Sequence, residues 1–293
     1  MSKRGKRGNR ASSGRTRPNV RDVFVGRPFE GLASEAEWVA LRELVPAATA
    51  PVRLNEELAR EHGEREIVLS TVLPLAWPAL TKPDGRIFLG LQRTTQSGDL
   101  SRDVALALLL ALEAPLGQPV AVPALPGPGP RLQDVLAAEP LEVTLRESFD
   151  YWLDEEPGDA EVKASLERAN ASVFPTVRMA AAPAAYWCRF PDKAHVRWVL
   201  PDDEDTALAA LSRLAASGRL TLGAETRFAG MFRAHGLLVP VWDLPHGAEA
   251  KEWEEPLAEM ASRYAEAAAS SDELDAAERR ARQGLLSRQV TVR

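Results

Sequence analysis

The sequence predicts an α+β fold: a tandem duplication of a helix–β-hairpin–helix–helix–strand unit with a mainly antiparallel sheet, followed by carboxyl-terminal helices. The first observation behind this is a self-match. Arg131 to Leu145 aligns without a gap on Arg227 to Val241, with Arg, Ala, Leu and Val coinciding at the first, eighth, eleventh and thirteenth places. The second is that both halves open with a helical pattern, a proline and a Val-Arg-apolar strand start, Val52-Arg53-Leu54 and Val177-Arg178-Met179. The third is a one-sided drift of the offset between matched points, from 125 at Val52/Val177 to 108 at Pro83/Pro191 and 96 at Arg131/Arg227. All the extra residues then fall in the first unit, in Asn55 to Glu66 and the Pro/Gly-rich Gln118 to Pro130, which read as loops. Chance apolar patterning is the alternative. The implied division is an arm (1–21), a first unit (22–150), a second unit (151–245) and a helical end (246–293).

In the first unit, Ser34-Glu35-Ala36-Glu37 has the pattern of a capping box, followed by Trp38, Leu41, Leu44 and Val45 at helical spacing. Pro46 ends that helix. Ile67 to Leu73 and Arg86 to Leu91 are β-rich, and Pro83-Asp84-Gly85 supplies a turn between them. Asp99 or Ser101 starts a helix over Val104 to Ala114, with Gly117 at its carboxyl end. In the second unit, Asp159 caps a helix bearing Val162, Leu166 and Ala169, and Pro175 closes that segment. Tyr186 to Phe190 and His195 to Leu200 form a hairpin around Pro191-Asp192-Lys193. Asp202 to Asp205 start a helix over Ala207 to Ala216, with Gly218 after it. Each unit closes with the matched segment, read as a short amphipathic helix leading into a strand. Beyond it, Trp253, Leu257, Met260 and Tyr264 share a helical face, and Ser270 with Glu273 caps a further helix.

The amino-terminal arm has a different composition. Residues 1–21 hold Lys3, Arg4, Lys6, Arg7, Arg10, Arg15, Arg17 and Arg21 and no acidic residue. The whole chain has 36 basic and 42 acidic residues, so the remainder holds 28 against 42, and the net charge of −6 divides into +8 and −14. Gly, Ser and Asn fill the spaces, a composition that cannot offset its ordering entropy by burial, so the arm is expected to be disordered. Such a polycation binds phosphate backbones by counterion release. Contact with RNA, a ribosomal surface or an anionic membrane is the functional reading, and a solubilising tail or one that folds back on the acidic body is the bland one. No aromatic residue is interleaved, so base stacking of the single-strand type is not expected from the arm.

Several chemistries find no support. At 293 residues the chain can bury roughly three quarters of its unfolded surface, so it needs no staple. The single Cys188 rules out an internal disulfide and a cysteine-rich zinc site. The most apolar run, Val104 to Leu112, is nine residues, against roughly 20 for a membrane span. With no signal-peptide pattern either, the cytoplasm is expected. No phosphate-binding loop, dinucleotide fingerprint or nucleophile elbow occurs, and Gly127-Pro128-Gly129 has proline where a phosphate cradle needs N–H groups. His62, His195, His235 and His246 never come at ligand spacing. His195 is placed on a strand beside Trp198, and His235 in the last turn of a helix. Asp202-Asp203-Glu204-Asp205 reads as helix capping and Asp154-Glu155-Glu156 as a solvated linker, so no metal site or cofactor is assigned. Cys188 and His195 fall on adjacent hairpin strands, so a pair is conceivable, although a buried strand cysteine is the plainer reading. Trp77, Trp187 and Trp198 are expected as core anchors.

The run Arg27 to Pro46, with Ser97 to Val104 and the basic arm, resembles a family of uncharacterised conserved proteins from high-GC Gram-positive bacteria. The resemblance covers the whole chain and implies no activity, cofactor or site residue. More remotely, the element order is similar to small chaperone-like α+β modules that bind other proteins. The function expected is therefore a non-enzymatic cytoplasmic adaptor or regulator. Its body would bind a protein and its arm RNA or the ribosome. An enzyme with a site between the two units, using His195, Cys188 or the acidic clusters, is the alternative.

Overall fold

The computed structural model describes residues 22–122, 125–153 and 159–287. The eight basic residues of the arm and the Asp154-Glu155-Glu156 cluster lie outside them. The fold is α+β, built on two mostly antiparallel sheets with helices between and outside them.

The first sheet comprises β1 (Ala48–Val52), β2 (Ile67–Val72), β3 (Ala79–Thr81), β4 (Ile87–Gln92), β5 (Pro119–Val120) and β6 (Thr144–Leu145), in the order β5-β3-β4-β2-β1-β6. The Pro83-Asp84-Gly85 turn closes a hairpin, but its first arm is β3. The expected arm, β2, instead pairs parallel with β4. The detour through Leu73–Pro78 makes this possible: Leu75 and Ala76 are both left-handed (φ 53°), and Gly90 lets the Trp77 carbonyl come close. A Cβ on Gly90 would sit 2.7 Å from that oxygen. β1 ends at Val52, where a strand was expected to begin, and Leu54 makes only an isolated bridge to Leu136. The segment read as a loop after Asn55 contains a helix, α2 (Glu56–His62), whose first turn the Asn55 side chain caps by accepting from Leu58 N–H.

Helix α1 (Glu35–Glu43) carries four consecutive residues, Trp38 to Leu41, at no more than 2% exposure. A helix buried all round must have structure on both sides. On one side lie the inward residues of β1, β2 and β4 with α3 (Leu100–Glu113). On the other lie Tyr186, Ala234, Leu237 and Val239 of the second sheet, with Val199 just past its third strand in sequence. The far face of the first sheet is covered by Phe149, Tyr151, Trp152 and α5 (Ala160–Ala171). Leu166 and Ala169 of α5 pack near Phe88, and Ser165 Oγ accepts from Leu75 N–H at 3.0 Å. The helix read as opening the second unit thus lies against the first sheet.

The second sheet is antiparallel throughout: β7 (Thr176–Arg178), β8 (Ala185–Arg189), β9 (Ala194–Trp198), β10 (Arg227–Ala234) and β11 (Leu237–Leu244), in the order β10-β11-β9-β8-β7. Trp187, Val196, Trp198 and Trp242 face a core closed by α6 (Glu204–Ala216), α7 (Glu254–Ala268) and α8 (Ala276–Ser287). Both Trp187 and Trp198 are core anchors, as their strand positions implied. Leu257, Met260 and Tyr264 form the buried face of α7. The cap of α8 lies five residues later than the sequence suggested: Asp275 accepts from Ala277 and Glu278 N–H, and Glu278 returns to Asp275 N–H.

The matched segments take different structures. Leu132–Val135 is the short helix α4, whereas Arg227–Ala234 is a strand. The apolar spacing of Phe228, Met231 and Phe232 suits a helix, but pairing with β11 along the whole strand overrides it. His235 and Gly236 form the connecting turn, both at positive φ (49° and 84°), the primed type whose twist suits a hairpin. His235 is therefore a turn residue and not a helix terminus. What the halves do share is strand order, β1-β2-β4 against β7-β8-β9, but the third strand runs in opposite senses.

Candidate functional site

Ser34 and Glu37 do not form a capping box. Ser34 is left-handed (φ 58°) and its hydroxyl accepts from Leu141 N–H, leaving the Glu37 carboxylate to turn inward. Four donors from the second half converge on it. Arg178 Nε and a terminal guanidinium nitrogen reach Oε1 at 2.9 and 2.6 Å, Ala184 N–H reaches the same oxygen at 3.1 Å, and Tyr186 Oη donates to Oε2 at 2.6 Å. Glu37 is 4% exposed and Tyr186 1%. Burial, reinforced by the anionic partner, pushes the Tyr186 hydroxyl pKa well up, so it stays a donor. This clamp joins α1 to β7 and β8. The clue in the sequence was Glu37 standing four and seven residues before Leu41 and Leu44, on the apolar face.

Beside the clamp, a cleft of about 500 Å³ opens between Pro46–Ala47, Leu145–Glu147 and Val173–Val177. It lies between the two sheets, with β6 on one wall and β7 on the other. Its lining is mostly apolar, and its charged groups are Arg146 and Glu147. Arg146 is already engaged, over the Tyr151 ring and donating to Thr49 Oγ1. Among the described residues, no titratable group singled out from the sequence lines this cleft.

The second sheet aligns Thr176, Cys188, His195, Asp243 and Arg227 as successive cross-strand partners, so their side chains share one face. His195 Nδ1 stands 2.9 Å from Asp243 Oδ1, although neither atom is aligned for a hydrogen bond, and Arg227 binds Asp243 at 2.5 Å. Cys188 and His195 are thus brought together as the hairpin implied. Their chemistry is not that of a nucleophile and its base. Burial raises the pKa of the 1% exposed Cys188 thiol, and burial with the nearby Arg197 lowers that of His195. A reactive cysteine needs the opposite, a stabilised thiolate at an accessible electropositive seat. Phe190 packs edge-on to His195 and under Arg197, which closes the face further.

Most of the remaining described residues singled out from the sequence have structural partners. Asp203 caps α6 by accepting from Asp205 and Thr206 N–H, Asp202 accepts from Tyr264 Oη at 2.6 Å, Glu204 pairs with Arg233 and Asp205 with Arg282. His62 pairs with Glu113, His235 with Glu43, and His246 is exposed. Arg102 donates to the Gly127 and Pro130 carbonyls and so pins the Gly127-Pro128-Gly129 loop. Among the described residues no group of three or more His, Cys, Asp or Glu side chains is placed to hold a metal ion, and no helix is long and apolar enough to cross a membrane.

The arm joins the body at a defined root. Asp22 accepts from Gly98 N–H at 2.6 Å, and Val25 N–H donates to Gly98 O at 2.8 Å. Gly98 sits in the loop before α3, which is fixed from below: Asp103 accepts from Ser97 N–H and pairs with Arg93, and both of these charged side chains are at most 3% exposed.

Residues 28–293 match the model of a family of unknown function, DUF5926, and the chain belongs to that family. No curated protein and no solved structure is detectably similar to it.

Proposed function

We propose that this member of the family is a non-enzymatic cytoplasmic adaptor or regulator. Its body binds a protein partner, and its amino-terminal arm, residues 1–21, contacts RNA or the ribosome. The observation that carries this reading is the division of charge: a polycation of eight with no carboxylate is attached to a remainder of −14. Such an arm makes salt-sensitive phosphate contacts through counterion release, while an acidic body resists wrapping in the same polyanion. The root of the arm is pinned to the Gly98 loop, so a polyanion bound by the arm is held at one place on the body. The buried, un-ionised Cys188–His195 pair and the fully partnered Asp202–Asp205 cluster both favour a structural role for groups that could otherwise serve catalysis.

Co-sedimentation with ribosomes and with total RNA tests this reading, using the intact chain and a chain lacking residues 1–21. Binding that weakens steeply with salt and is lost on truncation supports it. Sedimentation unchanged by truncation sinks the arm's role. One observation favours the alternative of an enzyme with a site between the two halves, namely the cleft of about 500 Å³ between β6 and β7. That reading requires a substrate whose binding protects Val177 and Leu145 from solvent.

A further inference from the structure

We propose that the edge of β7 receives an extended, uncharged, apolar-rich segment of the protein partner, which pairs with it as an added strand inside the cleft between β6 and β7. The proposal rests on the reading that the body binds a protein, and it names the place and the form of that contact.

The hydrogen-bond phase of β7 decides which of its backbone groups are spare. Arg189 N–H donates to Pro175 O and Met179 N–H to Ala185 O, so residues 175, 177 and 179 face β8. In an antiparallel pair the intervening residues point the other way. The N–H and C=O of Thr176 and Arg178 are therefore directed away from β8, on the side where the cleft opens, and none of them is hydrogen-bonded to a described residue. The facing wall repeats the pattern. Arg146 N–H donates to Ala47 O, which leaves the N–H and C=O of Leu145 directed away from β1. Two sheet edges with unpaired backbone thus share one cleft.

Sheet edges usually carry protection, and this one carries little. β10, at the opposite edge of the second sheet, has a bulge between Phe228 and Gly230 and bears Arg227 and Arg233. Bulges and charged side chains of that kind discourage strand addition. β7 pairs without a bulge, its one arginine turns to Glu37, and Val177 is left 40% exposed. Pro175 removes a donor that would face β8, not one that would face the cleft.

The chemistry of the occupant follows from the lining. Apart from Thr176 and the oppositely charged Arg146 and Glu147, the walls are apolar, with Leu145, Phe174 and Val177 among them. A polyanion finds no net cation there, and a compact metabolite finds no converging set of polar side chains. The spare donors and acceptors recur instead at Thr176 and Arg178, about 7 Å apart, which is the two-residue repeat of a strand. An extended backbone matches that repeat, and apolar side chains suit the walls. Pairing at both positions takes about five residues of the partner, roughly 17 Å of strand.

The test uses the full chain and a fluorescein-labelled peptide of alternating valine and threonine with glycine and serine at its ends, followed by anisotropy. The peptide should bind saturably with little salt dependence, and should slow exchange of the Thr176 and Arg178 amide protons. N-methylation of every valine, or of every threonine, keeps the side chains and removes one row of donors. At least one of these two forms should bind about 5- to 150-fold more weakly. Val177→Lys places a charge on the edge and should weaken binding while leaving the thermal transition in place, because the site is already exposed. Thr176→Pro removes a donor facing the cleft and should weaken it too. Absence of saturable binding, or equal binding by all three peptides, overturns the proposal. Undiminished binding by both Val177→Lys and Thr176→Pro overturns it as well. A wild-type chain that sediments as a dimer and becomes monomeric in Val177→Lys assigns the edge to a second copy, which also overturns it. Failure of the peptide with arm-dependent co-sedimentation intact removes the edge alone. Peptide binding without such co-sedimentation supports the edge and sinks the arm's role.

Discussion

Removing the Glu37 carboxylate is the most informative perturbation of the body. In Glu37→Ala, the Tyr186 hydroxyl (1% exposed) and the Ala184 N–H (0%) lose their acceptor in a site that water cannot reach. Each orphaned group costs about 1–3 kcal/mol. The Arg178 side chain is 44% exposed and recovers its hydration, so it adds little. The total is about 4 kcal/mol, which for a chain of this size lowers the melting temperature by roughly 8–16 °C. Urea unfolding followed by tryptophan fluorescence measures it. The second half of the prediction is a reversal of sign. Tyr186→Phe should destabilise the wild type by about 1.5–3 kcal/mol, because Glu37 loses a charge-assisted bond. The same change in the Glu37→Ala background should stabilise, because it removes a hydroxyl with no partner. A loss under about 1 kcal/mol for Glu37→Ala, or additive effects in the double variant, would falsify the view that the buried Tyr186 hydroxyl and Ala184 N–H are satisfied only by Glu37.

The chain's three tyrosines offer a pH test. Burial raises all three hydroxyl pKa values, that of Tyr151 to about 12. A raised folded-state pKa leaves stability intact below the unfolded value of about 10 and erodes it as pH climbs above that. Tyrosinate absorbance should therefore be absent from the folded protein at pH 10.5 and appear together with alkaline unfolding; a smooth titration centred near 10 refutes this. Cys188, buried with its thiol pKa raised, should react with an aromatic disulfide reagent only as fast as the protein opens, and instantly in denaturant. A fast stoichiometric reaction in the native state would place the thiol at the surface. Gly236→Ala should cost about 2 kcal/mol, since φ is 84° and a Cβ would lie 2.8 Å from Arg27 Cβ. Gly218→Ala, at φ 68° with nothing within 4 Å, should cost less, and equal losses would show that the Arg27 contact yields freely.

The α+β class, the caps at Asp99, Asp159 and Asp203 and the β8–β9 hairpin were legible because each is set within a few residues. Capping residues and turn residues act locally, and the Pro191-Asp192-Lys193 turn between two β-rich runs marks the β8–β9 connection. What could not be read depended on distant partners. Whether β2 pairs with its apparent hairpin mate or parallel to it is decided by the left-handed residues at 75 and 76, where leucine and alanine give no warning. β10 carries a spacing compatible with a helix, and only its partner strand decides the matter. Its turn is His-Gly, which lacks the Asn or Asp that usually announces a primed turn. Glu37 fitted a local rule so well that its role 141 to 149 residues away was hidden.

The clamp also sets an order of events during synthesis. Glu37 leaves the ribosome 149 residues before Tyr186, and at roughly 5–20 residues per second that is an interval of about 7–30 s. Once the strands of the first sheet, which end at Leu145, have followed, α1 has one side against that sheet and the other, with a carboxylate at its centre, against water. The outer face of that sheet likewise waits for α5. The amino-terminal half is thus a nascent chain with two uncovered faces, held open until the carboxyl-terminal half arrives to close both.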